Sequence, residues 1–100
     1  MPQGIKAIGF AWYKPEHYDE MRRLSADGKT QMPSTYKQWL KKAQDLFDRL
    51  KREGHTVEKV YIEPDTFPAW CAERGLQINA QARIRFADEF VARKYTNRNR

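Results

Sequence analysis

Residues 35–54 read TYKQWLKKAQDLFDRLKREG, and their period decides the fold. Tyr36, Trp39, Leu40, Ala43, Leu46, Phe47 and Leu50 recur at the i, i+3, i+4, i+7 spacing that puts apolar side chains on one side of a helix. Lys37, Lys41, Lys42, Asp45, Asp48, Lys51 and Arg52 fall on the other side. Thr35 and Gln38 have the spacing of a capping box, with Ser34 as a competing cap. Gly54 stops the helix, and Lys51 and Arg52 sit in the last turn, where the helix dipole is negative.

Upstream, Ser25 to Pro33 reads as a loop, with Asp27-Gly28 as its turn signal. Before it, Pro15 suits the first position of a short helix, and Glu16 and Asp19 favour its positive end. Tyr18, Met21 and Leu24 give that helix one narrow apolar stripe. Ile5 to Tyr13 is a predicted strand, apolar at both parities after Lys6, so both of its faces are expected to be covered.

Downstream, Thr56 to Glu63 is the second predicted strand, rich in β-branched and aromatic residues. Pro64-Asp65 ends it. Asp65 is expected to cap a helix that carries Pro68 in its first turn and Phe67, Trp70, Cys71 and Leu76 as apolar residues. Gly75 ends that helix, and Asn79 caps a last one, Ala80 to about Tyr95. Ala82, Phe86 and Phe90, with Ile84, Ala87 and Val91 contributing less, are its predicted buried side. Thr96 to Arg100 reads as a frayed basic tail.

The expected fold is therefore α+β in the order β-α-α-β-α-α, mostly helical, as one domain over residues 1–95. Helices between the strands return the chain to its starting end, and antiparallel pairing is expected. Two strands are marginal alone, so helices must cover them or a second subunit must extend them as a homodimer. The predicted core is Ile8, Phe10, Trp12, Tyr18, Met21, Leu24, Trp39, Leu40, Ala43, Phe47, Leu50, Val60, Ile62, Phe67, Trp70, Phe86, Phe90 and Val91. Lys14-Pro15-Glu16-His17-Tyr18 and Glu63-Pro64-Asp65-Thr66-Phe67 share a pattern. Ordinary strand-to-helix chemistry is the favoured reading of it, and an old duplication is the alternative.

Composition narrows the function classes. No run approaches the roughly 18–20 apolar residues of a membrane span, and no secretory signal pattern opens the chain. The single cysteine, Cys71, makes no internal disulfide and fits a reducing, cytoplasmic setting. His17 and His55 lie far apart, and neither a metal set nor a phosphate or dinucleotide fingerprint is present, so no cofactor is expected. Cys71 falls inside a helix with no histidine near it in sequence. Glu58 and Glu63 fall on opposite parities of one strand. With no nucleophile, base and metal ligands clustered, a non-catalytic protein is expected and a small enzyme ranks third.

The formal net charge is +6. Lys37–Arg52 and Gly75–Arg100 are basic, and Glu53–Glu73 between them is acidic. Such segregation suits an acidic partner, and it also serves solubility. Nucleic acid is the leading partner, through phosphate contacts by Lys37, Lys41, Lys42, Arg49, Arg52, Arg83, Arg85, Arg93 and Arg98. A helix-turn-helix is compatible with Phe67–Tyr95. The alternative is a protein–protein module, a small inhibitor or adaptor using the acidic stretch. Trp12, Tyr13 and His17, at a strand end beside a helix start, form a candidate pocket, although aromatics at such junctions commonly pack into the core.

Ala11-Trp12-Tyr13, Pro15-Glu16, Pro64 to Cys71, and Ala82 to Ala87 together resemble a group of short uncharacterised bacterial proteins, over nearly the full chain. That resemblance implies a bacterial cytosolic accessory protein and transfers no site residue.

Overall fold

The structure, a computed structural model, describes residues 7–97. The elements are β1 (Ala7–Trp12), α1 (Pro15–Leu24), α2 (Gly28–Gln31), α3 (Tyr36–Arg52), β2 (Thr56–Tyr61), α4 (Phe67–Glu73) and α5 (Ala80–Asn97). The α+β class holds. The stretch read as a loop contains one short extra helix, α2. The last helix runs two residues past Tyr95, and Arg98 lies outside the described residues.

The strands pair in parallel, not antiparallel, with Ala7 opposite Thr56 and Trp12 opposite Tyr61. A connection that returns the chain to its starting end brings the second strand in parallel to the first. Trp39, early in α3, packs on Trp12 at the end of β1, with ring centroids 5.0 Å apart, and Phe47, later in α3, reaches Phe10. The helix thus runs antiparallel to β1 and delivers the chain to the end where β1 began. A strand starting there is parallel, as in any β-α-β crossover.

Parity divides the sheet into two unlike faces. Phe10 and Trp12 meet α3, and Lys59 of β2 holds its ammonium 4.4 Å from the Trp12 ring centroid. Ala7, Gly9 and Ala11 are all small and point the other way, where α5 lies close against β1. A Cβ on Gly9 would sit 2.4 Å from the Ala87 carbonyl oxygen, so the strand and α5 touch backbone to backbone. Helices on both faces give a two-stranded parallel sheet the double cover it needs.

A second core closes the C-terminal end of the strands. Tyr13, Tyr18, Met21, Met32, Ile62, Phe67 and Cys71 are buried together there. Burying one such side chain contributes roughly 2 kcal/mol. The Tyr18 hydroxyl donates to the Pro33 carbonyl and ties α1 to the start of α3.

Most of the expected core is buried or half-buried, and Trp39 and Phe47 face inward. Leu24 and Phe90 do not belong to it, being 39% and 46% exposed. Ile84 is also exposed, and alanines 82 and 87 take the buried positions on α5. The close approach at Gly9 admits small side chains only. The capping box of α3 is present, with Thr35 accepting from the Gln38 N–H, and Asn79 accepts from the Ala82 N–H at the start of α5. Asp65 does not cap α4; Thr66 holds that position without a side-chain bond, and the Phe67 N–H donates to the Glu63 carbonyl.

Candidate anion-binding cleft

The turn between α1 and α2 is fastened to α5 by buried polar groups. Arg83 is expected from sequence to be a surface phosphate contact, but it lies in the interior, 6% exposed. Its guanidinium donates to Ser25 Oγ at 3.0 Å and to Asp27 Oδ1 at 3.2 Å. The other Asp27 oxygen accepts from the Ala80 N–H at 2.8 Å, one of the donors a helix start leaves unsatisfied. Arg83 is thus an internal tie and no part of a basic surface.

On the outer side of that turn, α2 is pressed against α1. A Cβ on Gly28 would lie 1.9 Å from the Arg22 carbonyl oxygen, so only glycine permits the approach. Arg22 Nε donates to the Met32 carbonyl at 3.1 Å, which leaves the guanidinium with further donors. Between this unit and the first turns of α3 is a cavity of about 600 Å³. Arg22 and Lys29 form one wall, Lys41 and Lys42 the other, with Ser34 and Gln38 between. Asp45 is the only carboxylate on it among the described residues, and it pairs with Lys41 at 3.5 Å. Both members of that pair are widely exposed, so the pair is weak and easily exchanged for another anion.

The other expected phosphate contacts do not converge on this place. Lys37 is exposed on the first turn of α3, and Arg49 and Arg52 are exposed at its far end. Lys41 and Arg49 are eight positions apart, about 12 Å along the axis. Arg85 pairs with Glu89 at 2.9 Å on α5, and Arg93 is exposed there. Because α3 and α5 cover opposite faces of the sheet, their basic sides do not join. The α4–α5 pair likewise uses its second helix as a cover for β1.

The candidate pocket of Trp12, Tyr13 and His17 resolves into packing. Trp12 and Tyr13 are each 3% exposed, and both rings stand edge-on to Trp39. Burial pushes the Tyr13 hydroxyl up to about 12, against the pull of the nearby Arg83 charge. His17 is half-buried, and its Nδ1 has no hydrogen-bond partner among the described residues.

Cys71 is buried, and burial pushes its thiol up, with Arg74 and Arg83 pulling less strongly the other way. A thiol held in its neutral form is a poor nucleophile. It is expected to resist a thiol-alkylating reagent in the folded protein and to react readily in denaturant. Fast labelling under native conditions would contradict the packing of α4.

The acidic stretch is largely engaged. Glu58 accepts from the Tyr95 hydroxyl and from Lys94 at 2.9 Å, and these bonds, the Tyr95 one foremost, hold its carboxyl below the usual range. Glu63 pairs with Lys14 at 3.5 Å. Among the described residues no group of histidine, cysteine and carboxylate side chains could hold a metal ion, and no helix is long and apolar enough to cross a membrane.

Sequence reasoning missed Arg22, at the end of the predicted first helix, and Lys29, inside the stretch read as a loop, because nothing local shows that the turn between them brings them together. The Asp27-Gly28 pair was the available signal. Its partners, Ala80 and Arg83, are more than fifty positions away.

Neither a curated protein nor a solved structure matches the chain. A family model, described as a domain of unknown function (DUF8829), matches residues 8–98, and the chain belongs to that family.

Proposed function

We propose that this chain is a non-catalytic binding protein that takes an acidic partner in the cleft between the α1–α2 unit and α3, with nucleic acid as the leading partner. One observation carries the reading: Arg22, Lys29, Lys41 and Lys42 converge on a single cavity whose one carboxylate is already paired. Phosphate groups need such charges and little else. The lone buried thiol is in keeping with a reducing, cytoplasmic setting. The resemblance to short bacterial proteins is in keeping with an accessory role in such a cell.

The test is a titration of labelled oligonucleotides, both single-stranded and duplex, at two salt concentrations. The wild type is expected to bind at least one form at low salt and to lose it as salt rises. Lys41→Ala with Lys42→Ala should flatten the salt slope by roughly 1.4 to 1.8, the value for two phosphate contacts. Folding should survive, since both side chains are exposed on α3 and alanine is a strong helix former. Arg85→Ala with Arg93→Ala, on the opposite layer, should leave binding unchanged. No binding of either form at low salt would remove nucleic acid and bring forward a protein partner.

A further inference from the structure

The cleft does not end at Arg22 and Lys29. A second cavity of about 430 Å³ lies on their other side, sharing Arg22, Lys29 and Thr30 with the first. Arg23 adds a fifth cation there and Asp19 a second carboxylate. The two hollows form one basic track that starts at α3, crosses the α1–α2 unit and reaches the outer side of α1.

We infer that this track holds the sugar-phosphate backbone of a single nucleic-acid strand and does not read its bases. The inference rests on the binding function proposed above and narrows it to one ligand form. Three features carry it. The cations extend beyond the first cavity, with Lys41 and Lys42 lining it alone, Arg22 and Lys29 lining both hollows and Arg23 lining the second alone, an order that suits successive phosphates. The path is concave, so a flexible single strand can lower its phosphates into it, whereas a stiff duplex carries its phosphates on a convex surface. Among the described residues, neither hollow has an aromatic in its lining. Proteins that select bases on a single strand stack them on aromatic rings or arginine planes and bond their edges. Arg22 is held by its bond to the Met32 carbonyl, and apart from Asp19 and Asp45 the remaining polar groups are short hydroxyls and amides suited to phosphate oxygens.

Fluorescence anisotropy with the full chain tests this, using labelled 12-nucleotide strands of dT, dA and dC and a duplex of equal length. The three strands should bind within a few-fold of each other, and the duplex at least tenfold more weakly. Engagement of all five cations predicts a log–log salt slope of about −3.5 on single strands. Arg23→Ala is the decisive variant, because Arg23 touches only the second hollow and is exposed. It should flatten the slope by about 0.7, one phosphate contact. Lys29→Ala should do the same. An unchanged slope for Arg23→Ala, a duplex that binds as tightly as the strands, or a tenfold preference for one base would overturn the inference while leaving nucleic-acid binding in place. Unlabelled tripolyphosphate that displaces the strands at equal phosphate concentration would also overturn it, since a compact polyanion would then be the better ligand. Failure of every oligonucleotide to bind would instead remove the function on which it rests.

Discussion

Replacing Asp27 by alanine should cost about 3–5 kcal/mol of stability, the range for removing one partner of a buried ion pair. Arg83 would keep its charge in the interior with only the Ser25 and Tyr13 hydroxyls, both neutral, beside it among the described residues. The start of α5 would lose the carboxylate that takes the Ala80 N–H, a further cost on the scale of a helix cap, about 1 kcal/mol. A loss of this size is a large share of the stability of a 100-residue domain. Chemical denaturation would show it as a lower midpoint at unchanged slope. The double variant Asp27→Ala with Arg83→Met separates the charge from the packing. Removing both charges should recover part of the loss, because an apolar side chain of similar length does not leave an unpaired ion behind. A single variant within 1 kcal/mol of wild type would show that water reaches Arg83 and that the tie between the turn and α5 is weak.

Gly28→Val should be nearly as severe and should also abolish binding. The Cβ position lies 1.9 Å from the Arg22 carbonyl oxygen and 2.9 Å from its carbonyl carbon. Both are helix backbone and cannot rotate aside as a side-chain tip can. The chain must move α2 away from α1, at a cost of about 3 kcal/mol for overpacking of this kind. Lys29 follows Gly28 directly, so the same movement separates it from Arg22 and opens the shared wall of the two hollows. Thermal unfolding and oligonucleotide binding should therefore both suffer. A folded Gly28→Val protein with wild-type binding would show that the cleft tolerates a displaced α2, and that its cations need no fixed geometry.

How far the sequence speaks depends on how local each cause is. The long helix α3 was legible because its period, capping box and terminal glycine all lie within twenty consecutive residues. The two faces of β1 were written there too. Ala7, Gly9 and Ala11 are small for a reason, namely the backbone contact with α5, while Phe10 and Trp12 are large because α3 stands over them. Strand direction could have been read correctly from the same connection that suggested the wrong one. Phe90 and Leu24 were misplaced because a periodic stripe says which side of a helix is apolar, not how far the neighbouring element extends to cover it. Arg83 was misplaced for a different reason. Its charge argues for the surface, and the carboxylate that reverses the argument is 56 positions away. The cleft was half legible: Lys41 and Lys42 were visible on the helix, but Arg22 and Lys29 reach them only once Gly28 lets α2 fold back on α1.

The most direct measurement is a map of where an oligonucleotide touches the protein. Backbone amide resonances of isotopically labelled protein can be followed by NMR while an unlabelled dT strand is added at low salt. Shifts should be confined to residues 19–45, strongest around Arg22, Lys29, Lys41 and Lys42, with the amides of α5 from Arg85 to Arg93 unmoved, if the cleft is the binding site. Shifts centred on α5, or spread evenly over both helical layers, would contradict it.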